Sequence, residues 1–414
     1  MSEFIVNSKT VLNGEVDISG SKNAALPIMA ATILSGGKSN LKNIPHLSDV
    51  EVMANILSGL GADIKNDEVL SVDTAHVSAK SLQCDEFNKI RASFLVAGPL
   101  LARFGNADVP MPGGCQIGSR PVDLHLKGFK ALGASHTIED GYVKLKCTSL
   151  VGANIYLDFP SVGATQNIMM AACLAKGTTV IENPATEPEV CDLANYLCKC
   201  GARIYGAGSD KITVKGVKSL KPCTYTVIPD RIEAGTFMIA AAITGGDIHL
   251  KNVNCSHLNA ISSKLVEVGA EISEFGSEIK ISCSGIKKNT DIKTLPFPGF
   301  PTDMQAQFAA LMCNASGTSV ITETVFENRF MYIPELIRMN ADIKLDGRCA
   351  VIKGGSPLVG AKVRATDLRA GAALVLAGLG AEGKTVISDS HYIKRGYSNF
   401  AYKLRKLGAD ITEG

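Results

Sequence analysis

The sequence has no tryptophan, almost no excess of either charge and no long apolar run. Its 414 residues include 42 Lys and Arg against 40 Asp and Glu, which gives a net charge of +2. A general polyanion-binding protein needs a larger basic excess, so we expect no nucleic-acid partner. No apolar run reaches the ~18 residues of a membrane helix, so we expect no membrane partner either. Any anion site must therefore be local.

Cysteine is present but is not arranged for disulfides or zinc. The 12 cysteines are scattered, and the first twenty residues lack the basic start and apolar stretch of a signal peptide. These features favour reduced thiols in the cytoplasm. The only tight group is Cys191, Cys198 and Cys200. It forms no CxxC pair and no histidine follows closely, so we expect no metal site.

A recurring Gly-Ala-x-Ile phrase divides the chain into six repeats. Complete or degenerate copies start at positions 61, 133, 201, 269, 340 and 408, in steps of 72, 68, 68, 71 and 68 residues. A second marker is a glycine before a strand-like run, at 37, 105, 177, 246, 317 and 383. Two independent markers with one period indicate a repeat of roughly seventy residues.

Each repeat predicts the same order of elements. An alanine-rich apolar helix, such as 370–378, precedes a glycine turn and a β-branched strand, such as 178–182. An amphipathic helix, such as 260–268, then ends at the Gly-Ala phrase, and short strands close the repeat. A helix that is apolar on all sides is buried, so the first helices should lie inside and the strands outside. The predicted class is α/β, in two groups of three repeats.

The two ends of the chain complement each other in this scheme. The sixth repeat ends at Gly414 and is expected to lack its closing strands. Strand-like segments at 4–6 and 15–18 precede the first helix and belong to no repeat. We infer that residues 1–21 complete the last group, which makes one domain discontinuous.

Cations gather at the predicted helix starts, where the helix dipole disfavours them. The first helices start beside Lys22, Arg91, Arg231 and Arg369. Three second helices start beside Arg120, Arg329 and Arg395. Bound anions would explain these cations. Salt bridges to neighbouring capping aspartates explain Arg231 and Arg369 equally well. If both sets face one cleft, the cleft suits a substrate with a carboxylate and several phosphates.

The second repeat departs from the pattern at residues 111–125, MPGGCQIGSRPVDLH. Three glycines and Cys115 precede its second helix, where other repeats have short connections. A Gly-rich insertion is typical of a mobile lid. Basic neighbours and a helix start would lower the pKa of the Cys115 thiol. An arbitrary cysteine is usually a bystander, but the glycines, the expected exposure and the broken symmetry together favour a function.

These segments resemble the enolpyruvyl transferases, over residues 4–411. The motifs that carry the resemblance are 20–27, 90–93, 112–125, 161–165, 229–236, 301–308, 326–330, 366–370 and 395–397. The resemblance implies two inside-out α/β barrel domains, each of three repeats with buried helices and outer strands. It places the domains at 22–229 and at 1–21 plus 230–414.

The resemblance also implies an activity. The enolpyruvyl group of phosphoenolpyruvate would move to the 3-hydroxyl of UDP-N-acetylglucosamine by addition and elimination, releasing phosphate in the first committed step of peptidoglycan synthesis. No metal or organic cofactor is implied. Two alternatives remain, transfer to shikimate-3-phosphate and an idle paralogue that binds nucleotide sugars. The Cys115 loop and the segment PTDMQAQF at 301–308 argue against transfer to shikimate-3-phosphate.

The resemblance assigns roles to individual residues. Cys115 would protonate the methylene of phosphoenolpyruvate, could hold the enolpyruvyl group as a thioketal and would be alkylated by fosfomycin. Asp303 would orient or deprotonate the sugar hydroxyl, and Lys22 and Arg395 would assist catalysis. The phosphoenolpyruvate contacts would be Lys22, Asn23, Arg120, Arg329, Arg369 and Arg395. The UDP-N-acetylglucosamine contacts would be Arg91, Arg120, Pro121, Val122, Asp123, Leu124, Ser161, Val162, Gly163, Asp303 and the backbone of Val325. Some relatives carry a lysine at a position where this chain has Asp158, Phe159 and Pro160, so a charged nucleotide contact would be absent and no side-chain contact is assigned there.

Overall fold

The computed structural model describes residues 2–7, 10–79, 90–112 and 122–414. The α-helices are α1 Lys22–Ala31, α2 Ser48–Gly59, α3 Ala97–Phe104, α4 Asp123–Ala131, α5 Val162–Ala172, α6 Pro188–Lys199, α7 Arg231–Thr244, α8 Asn259–Glu267, α9 Gln305–Cys313, α10 Ile333–Arg338, α11 Leu368–Gly380 and α12 Phe400–Lys406. Short 3-10 segments are Thr32–Ser35, Arg91–Val96, Cys255–His257, Thr302–Met304 and Ser390–Arg395. None of these helices is long and apolar enough to cross a membrane.

The strands are short and follow the helices at regular intervals. They are β1 Glu3–Asn7, β2 Asn13–Asp17, β3 Lys38–Lys42, β4 Asp63–Asn66, β5 Leu70–Asp73, β6 Asn106–Pro110, β7 Ser135–Glu139, β8 Tyr142–Lys146, β9 Asn154–Tyr156, β10 Thr178–Glu182, β11 Arg203–Tyr205, β12 Lys211–Lys215, β13 Thr224–Thr226, β14 Asp247–Lys251, β15 Glu271–Phe275, β16 Glu278–Ser282, β17 Ile292–Lys293, β18 Gly317–Thr322, β19 Asp342–Asp346, β20 Cys349–Gly354, β21 Lys362–Arg364, β22 Lys384–Ser388 and β23 Ile411–Glu413.

The chain forms two compact units. The first unit consists of the described residues of Gly20–Cys115 and Arg120–Ile228, and the second of those of Met1–Ser19 and Pro229–Gly414. Within the described residues, each unit has three separate sheets. Those of the first unit run β13-β3-β5-β4, β6-β8-β7 and β11-β12-β10-β9, and those of the second run β21-β22-β1-β23, β15-β16-β14-β2 and β17-β18-β20-β19. Six sheets therefore correspond to six repeats.

One pairing rule recurs in the sheets. Within a repeat, three strands pair antiparallel, as β14, β16 and β15 do. A fourth strand, which leads into a first helix, adds to the edge in parallel, as β2 adds to β14 and β9 to β10. The sheet β6-β8-β7 contains three strands within the described residues.

The first helices of the repeats form the inside of each unit. All nine residues of α9 are buried, as are Arg369–Gly380 of α11, whereas α8 buries only Ile261 and Leu265. Two separate hydrophobic clusters result, one in each unit. Glycines permit the close packing. A Cβ at Gly98 would lie 2.4 Å from the Asn167 carbonyl oxygen. The predicted inside-out arrangement is therefore confirmed.

The N-terminal strands enter two different sheets of the second unit. β1 pairs antiparallel with both β22 and β23, and so lies between the last two strands of the sixth repeat. β2 pairs in parallel with β14 of the fourth repeat. The expectation that the sixth repeat lacks closing strands is wrong in part, because β23 closes it over Ile411–Glu413.

Candidate active site

Asp303 of the second unit joins two buried arginines. It lies in the 3-10 turn before α9. Arg329 Nη2 donates to Asp303 Oδ1 at 2.7 Å, and Arg369 Nη2 donates to Asp303 Oδ2 at 3.0 Å. The arginine side chains are 4% and 3% exposed, whereas that of Asp303 is 27% exposed. Two cations therefore share one partly accessible carboxylate, and the cluster keeps a net positive charge.

Arg369 remains protonated in this cluster although it is buried. Burial alone would lower its pKa, but the Asp303 carboxylate and Tyr397 together raise the pKa above its usual value. The guanidinium carbon lies 5.3 Å from the centre of the Tyr397 ring. Nε and Nη1 of Arg369 are buried with no hydrogen-bond acceptor in the described residues. These donors suit a carboxylate or phosphate oxygen.

Asp367, the neighbouring capping residue, is not the counter-ion of Arg369. Its carboxylate accepts from the Arg369 and Ala370 backbone N–H groups at 2.7 and 3.0 Å, which caps α11. The alternative of a local cap bridge is therefore wrong for Arg369, since its partner is Asp303 of another repeat. Arg231 lies with its guanidinium carbon 5.6 Å from the centre of the Phe297 ring.

Glu323 ties the segment of Val325 to the turn of Asp303. This carboxylate is 1% exposed. Its Oε1 accepts from Val325 N at 2.7 Å and from Thr294 Oγ1 at 2.8 Å. Its Oε2 accepts from Thr302 Oγ1 at 2.8 Å. The Val325 N–H is thus occupied, so the carbonyl is the backbone group available for a ligand. Sequence reasoning missed Glu323; the only signal was an acidic residue directly after a buried strand.

Tyr397 links the helix core of the second unit to this cluster. It follows Arg395, which ends the 3-10 segment Ser390–Arg395. Gln307 Nε2 of α9 donates to Tyr397 Oη at 3.0 Å and to the Asp303 carbonyl at 2.9 Å. Thr236 of α7 also lies 3.0 Å from Tyr397 Oη. The ring below Arg369 is therefore held by two core helices.

In the first unit, Lys22 is paired within the protein. It is the first residue of α1, and its Nζ lies 3.1 Å from Asp49 Oδ2 of α2. Both side chains are nearly buried, whereas Asn23 is exposed. Sequence reasoning missed Asp49, because an acidic residue in the first turn of a helix is ordinary there.

A second group in the first unit surrounds the starts of α4 and α5. Ser161 caps α5, and its Oγ accepts from Ala164 N at 3.4 Å. Val162 and Gly163 follow in the first turn. At the start of α4, Val122 is buried, Asp123 is exposed and Leu124 is half-buried. Arg91 begins the 3-10 segment Arg91–Val96. Phe159 is exposed.

The predicted residues thus fall into groups within the two units. Asp303, Arg329 and Arg369 are brought together, and Lys22 meets a residue that was not predicted. Cys115, Arg120 and Pro121 lie outside the described residues. Within the part of the chain that the structure describes, no three His, Cys, Asp or Glu side chains are placed to hold a metal.

A protein-family comparison defines the class. The model of the EPSP synthase family (3-phosphoshikimate 1-carboxyvinyltransferase) matches residues 6–413. The chain belongs to this family of enolpyruvyl transferases. A solved structure agrees: the enolpyruvyl transferase NikO from Streptomyces tendae has a TM-score of 0.90 and 26% identity, covering 100% of this chain and 98% of its own. EPSP synthase from Acinetobacter baumannii shares the fold, with a TM-score of 0.78 at 19% identity and full coverage of both chains.

More similar relatives carry a more particular name, UDP-N-acetylglucosamine 1-carboxyvinyltransferase. The protein from Caldanaerobacter subterraneus subsp. tengcongensis, numbered 1 under that name, is 55% identical over 99% of both chains. The protein from Clostridium tetani, numbered 2, is 52% identical over 99% of both, and that from Halothermothrix orenii is 51% identical over 100% of both. The resemblance drawn from the sequence motifs is confirmed.

Proposed function

We propose that this chain transfers the enolpyruvyl group of phosphoenolpyruvate to the 3-hydroxyl of UDP-N-acetylglucosamine and releases phosphate. The observation that carries the chemistry is Asp303 between Arg329 and Arg369, a carboxylate set among cations. The acceptor is supported by relatives more than 50% identical over nearly the whole chain, which are named for it. The reaction would supply peptidoglycan synthesis in the cytoplasm.

The reaction needs a proton donor, an aligned hydroxyl and a cationic pocket. In our proposal the Cys115 thiol protonates C3 of phosphoenolpyruvate, which makes C2 electrophilic. The sugar hydroxyl oxygen then bonds to C2 while Asp303 accepts its proton. The Cys115 thiolate, formed in the first step, then takes a proton back from the new methyl group, and the C2–O bond to phosphate breaks, which restores the double bond and releases phosphate. Two arginine hydrogen bonds make Asp303 a weak base, so it first orients the hydroxyl.

The remaining residues would bind the substrates through charge and backbone groups. Lys22, Arg120, Arg329, Arg369 and Arg395 would neutralise the carboxylate and phosphate of phosphoenolpyruvate, with Asn23 beside them. The UDP-sugar would meet Arg91, residues 120–124, residues 161–163 and the Val325 carbonyl. The proposed domains are 22–229 and 1–21 plus 230–414.

Phosphate release from phosphoenolpyruvate tests the proposal, with UDP-N-acetylglucosamine and shikimate-3-phosphate offered as separate acceptors. We expect release only with the UDP-sugar. Release only with shikimate-3-phosphate would show that this compound, and not the UDP-sugar, is the acceptor. No release from a folded protein that still binds the UDP-sugar would favour the idle paralogue. Fosfomycin labelling followed by peptide mapping checks Cys115 separately, and label on another of the 12 cysteines would contradict its role.

A further inference from the structure

Two free thiols meet in the first unit at the end of α6. Cys200 is the C-terminal cap residue of this helix and is 3% exposed, and Cys223 lies directly before β13 and is half-buried. Their Sγ atoms are 3.5 Å apart, so one thiol can donate a hydrogen bond to the other. The two cysteines are 23 positions apart in the sequence, so their spacing did not predict this contact.

Hydrogen bonds on both sides of the thiol pair hold the two segments together. Lys221 N donates to the Cys200 carbonyl at 2.8 Å. Tyr225 Oη donates to Asp192 Oδ1 of α6 at 2.6 Å. The sulfurs of a disulfide lie about 2.05 Å apart, so these two sulfurs have to approach by only about 1.5 Å. The main chain therefore already places the pair for a disulfide.

The packing of the repeat does not require a thiol at position 200. Cys200 directly precedes the Gly-Ala phrase of its repeat. The residues at this position in the other five repeats are all buried and apolar, and they are Leu60, Leu132, Val268, Met339 and Leu407. A free cysteine can also pack as a small apolar side chain. Packing alone does not explain a second thiol in contact with the first.

The two thiols differ in their access to an oxidant. Burial raises the pKa of the Cys200 thiol and the adjacent Cys223 sulfur raises it further, although a hydrogen bond from Tyr196 opposes the shift. Cys200 therefore keeps its proton at neutral pH. Cys223 is the more exposed residue of the pair, so an oxidant in solution reaches it first.

We propose that Cys200 and Cys223 form a modification site at which hydrogen peroxide joins them by a reversible disulfide. The Cys223 sulfur bonds to one peroxide oxygen as the O–O bond breaks, which gives a sulfenic acid and a water molecule. The Cys200 sulfur then bonds to the Cys223 sulfur, the S–O bond breaks, and the Cys200 proton leaves with the hydroxyl group as a second water. Two thiols are thus oxidised while one peroxide molecule is reduced.

The disulfide would fasten the end of α6 to the segment that enters β13. A covalent link between these segments restricts the unfolded chain and so stabilises the folded unit. We expect the oxidised protein to melt about 5 °C above the reduced protein, and dithiothreitol to remove the difference. The site does not depend on the proposed function, because neither cysteine is among the predicted site residues.

Peptide mapping of the full chain after brief treatment with equimolar hydrogen peroxide tests the site. Trypsin cuts after Lys199 and Arg203, so Cys198, Cys200 and Cys223 fall in three different peptides. We expect the peptides of Cys200 and Cys223 to be joined, with a mass lower by two hydrogens, until dithiothreitol separates them. The control C198S, which removes an exposed thiol of the same helix, should keep this link and the rise in melting temperature. C223S should lose both.

Several results would overturn the modification site. One is a link from Cys200 or Cys223 to a different cysteine in place of the expected pair. Another is Cys223 oxidised to a sulfinic acid without any link, because Cys200 would then not reach it. A link that forms only in urea, or that lowers the melting temperature, would show that the folded chain does not fit the disulfide. Circular dichroism checks the folding of each variant, and C223A replaces C223S if the serine variant does not fold.

Discussion

The two units use the same helix position for different chemistry. Asn167 in α5 and Gln307 in α9 both lie ten residues before the marker glycine of their repeat. In the first unit, the Asn167 amide holds the neutral imidazole of His125. In the second, the Gln307 amide holds the phenol of Tyr397, whose ring supports the Arg369 cation. A buried amide at the same helix position thus holds a neutral imidazole in the first unit and, through Tyr397, supports a cation in the second.

This difference determines how much folding stability each unit loses when one of these polar residues is mutated. The second unit buries two guanidinium groups against one carboxylate, so removing the carboxylate leaves a charge uncompensated. In the first unit the His125–Asn167 pair is uncharged, so a mutation there leaves an unmade hydrogen bond, which costs less. Mutations at the charged cluster should therefore lower stability more than mutations at the uncharged pair.

Removal of the Asp303 carboxylate should have the largest effect. Asp303→Ala leaves Arg329 and Arg369 without their shared counter-ion and should lower the free energy of unfolding by about 2–4 kcal/mol, below a fully buried pair because Asp303 is partly exposed. Asp303→Asn keeps the side-chain volume and one hydrogen-bond acceptor, so it should lower the free energy of unfolding by about half as much as Asp303→Ala. Both should reduce turnover at least ~100-fold. Urea unfolding and phosphate release measure these effects, and an Asp303→Ala protein of native stability would contradict the charge argument.

Lys22 and Asp49 provide a charged pair in the first unit. Lys22→Ala should destabilise by about 1–3 kcal/mol, because it leaves the buried Asp49 carboxylate without its lysine, and it should weaken phosphoenolpyruvate binding. The double variant with Asp49→Ala should recover part of the stability but none of the binding. A double-mutant cycle with thermal unfolding and ligand titration separates the two effects. Additive losses of stability would show that the pair is not coupled.

The sequence predicted the fold better than the site. The repeat period and the all-apolar helices determine which helices are buried, and these signals are local. Asp49 and Asn167 were missed because they contact residues 27 and 42 positions away, and Glu323 because its bond to the Asp303 turn, through Thr302, spans 21 positions. The periodicity does not specify how these elements pack. Asp303 and Arg369 were predicted as site residues, but the hydrogen bond that joins them across 66 positions was not predicted.

Acid should destabilise the first unit through His125. Its folded pKa of about 3 lies below the unfolded value of ~6.5, so the unfolded chain binds the proton first as the pH falls. The neutral ring therefore contributes stability that is complete above pH ~6.5 and is lost on acidification, by about 2 kcal/mol at pH 5. H125Q, which cannot titrate, should lack this loss. Thermal unfolding of both proteins from pH 7 to pH 5 provides the measurement, and parallel curves would contradict a buried neutral histidine.

On acidification, Asp192 should raise the stability of the first unit, by less than His125 lowers it. Burial raises its pKa to about 6, although hydrogen bonds from Tyr225 and the Ile228 backbone oppose the shift. Its folded pKa exceeds the unfolded value of ~3.9, so the folded state binds the proton first and gains stability as the pH falls through 6. The gain at pH 5 is about 1 kcal/mol, which partly masks the loss from His125. Asp192→Asn should therefore make the acid destabilisation of the native protein steeper. A shallower pH dependence in Asp192→Asn would mean that Asp192 is ionised in the folded protein, and that the acid response of the first unit has no opposing group at this position.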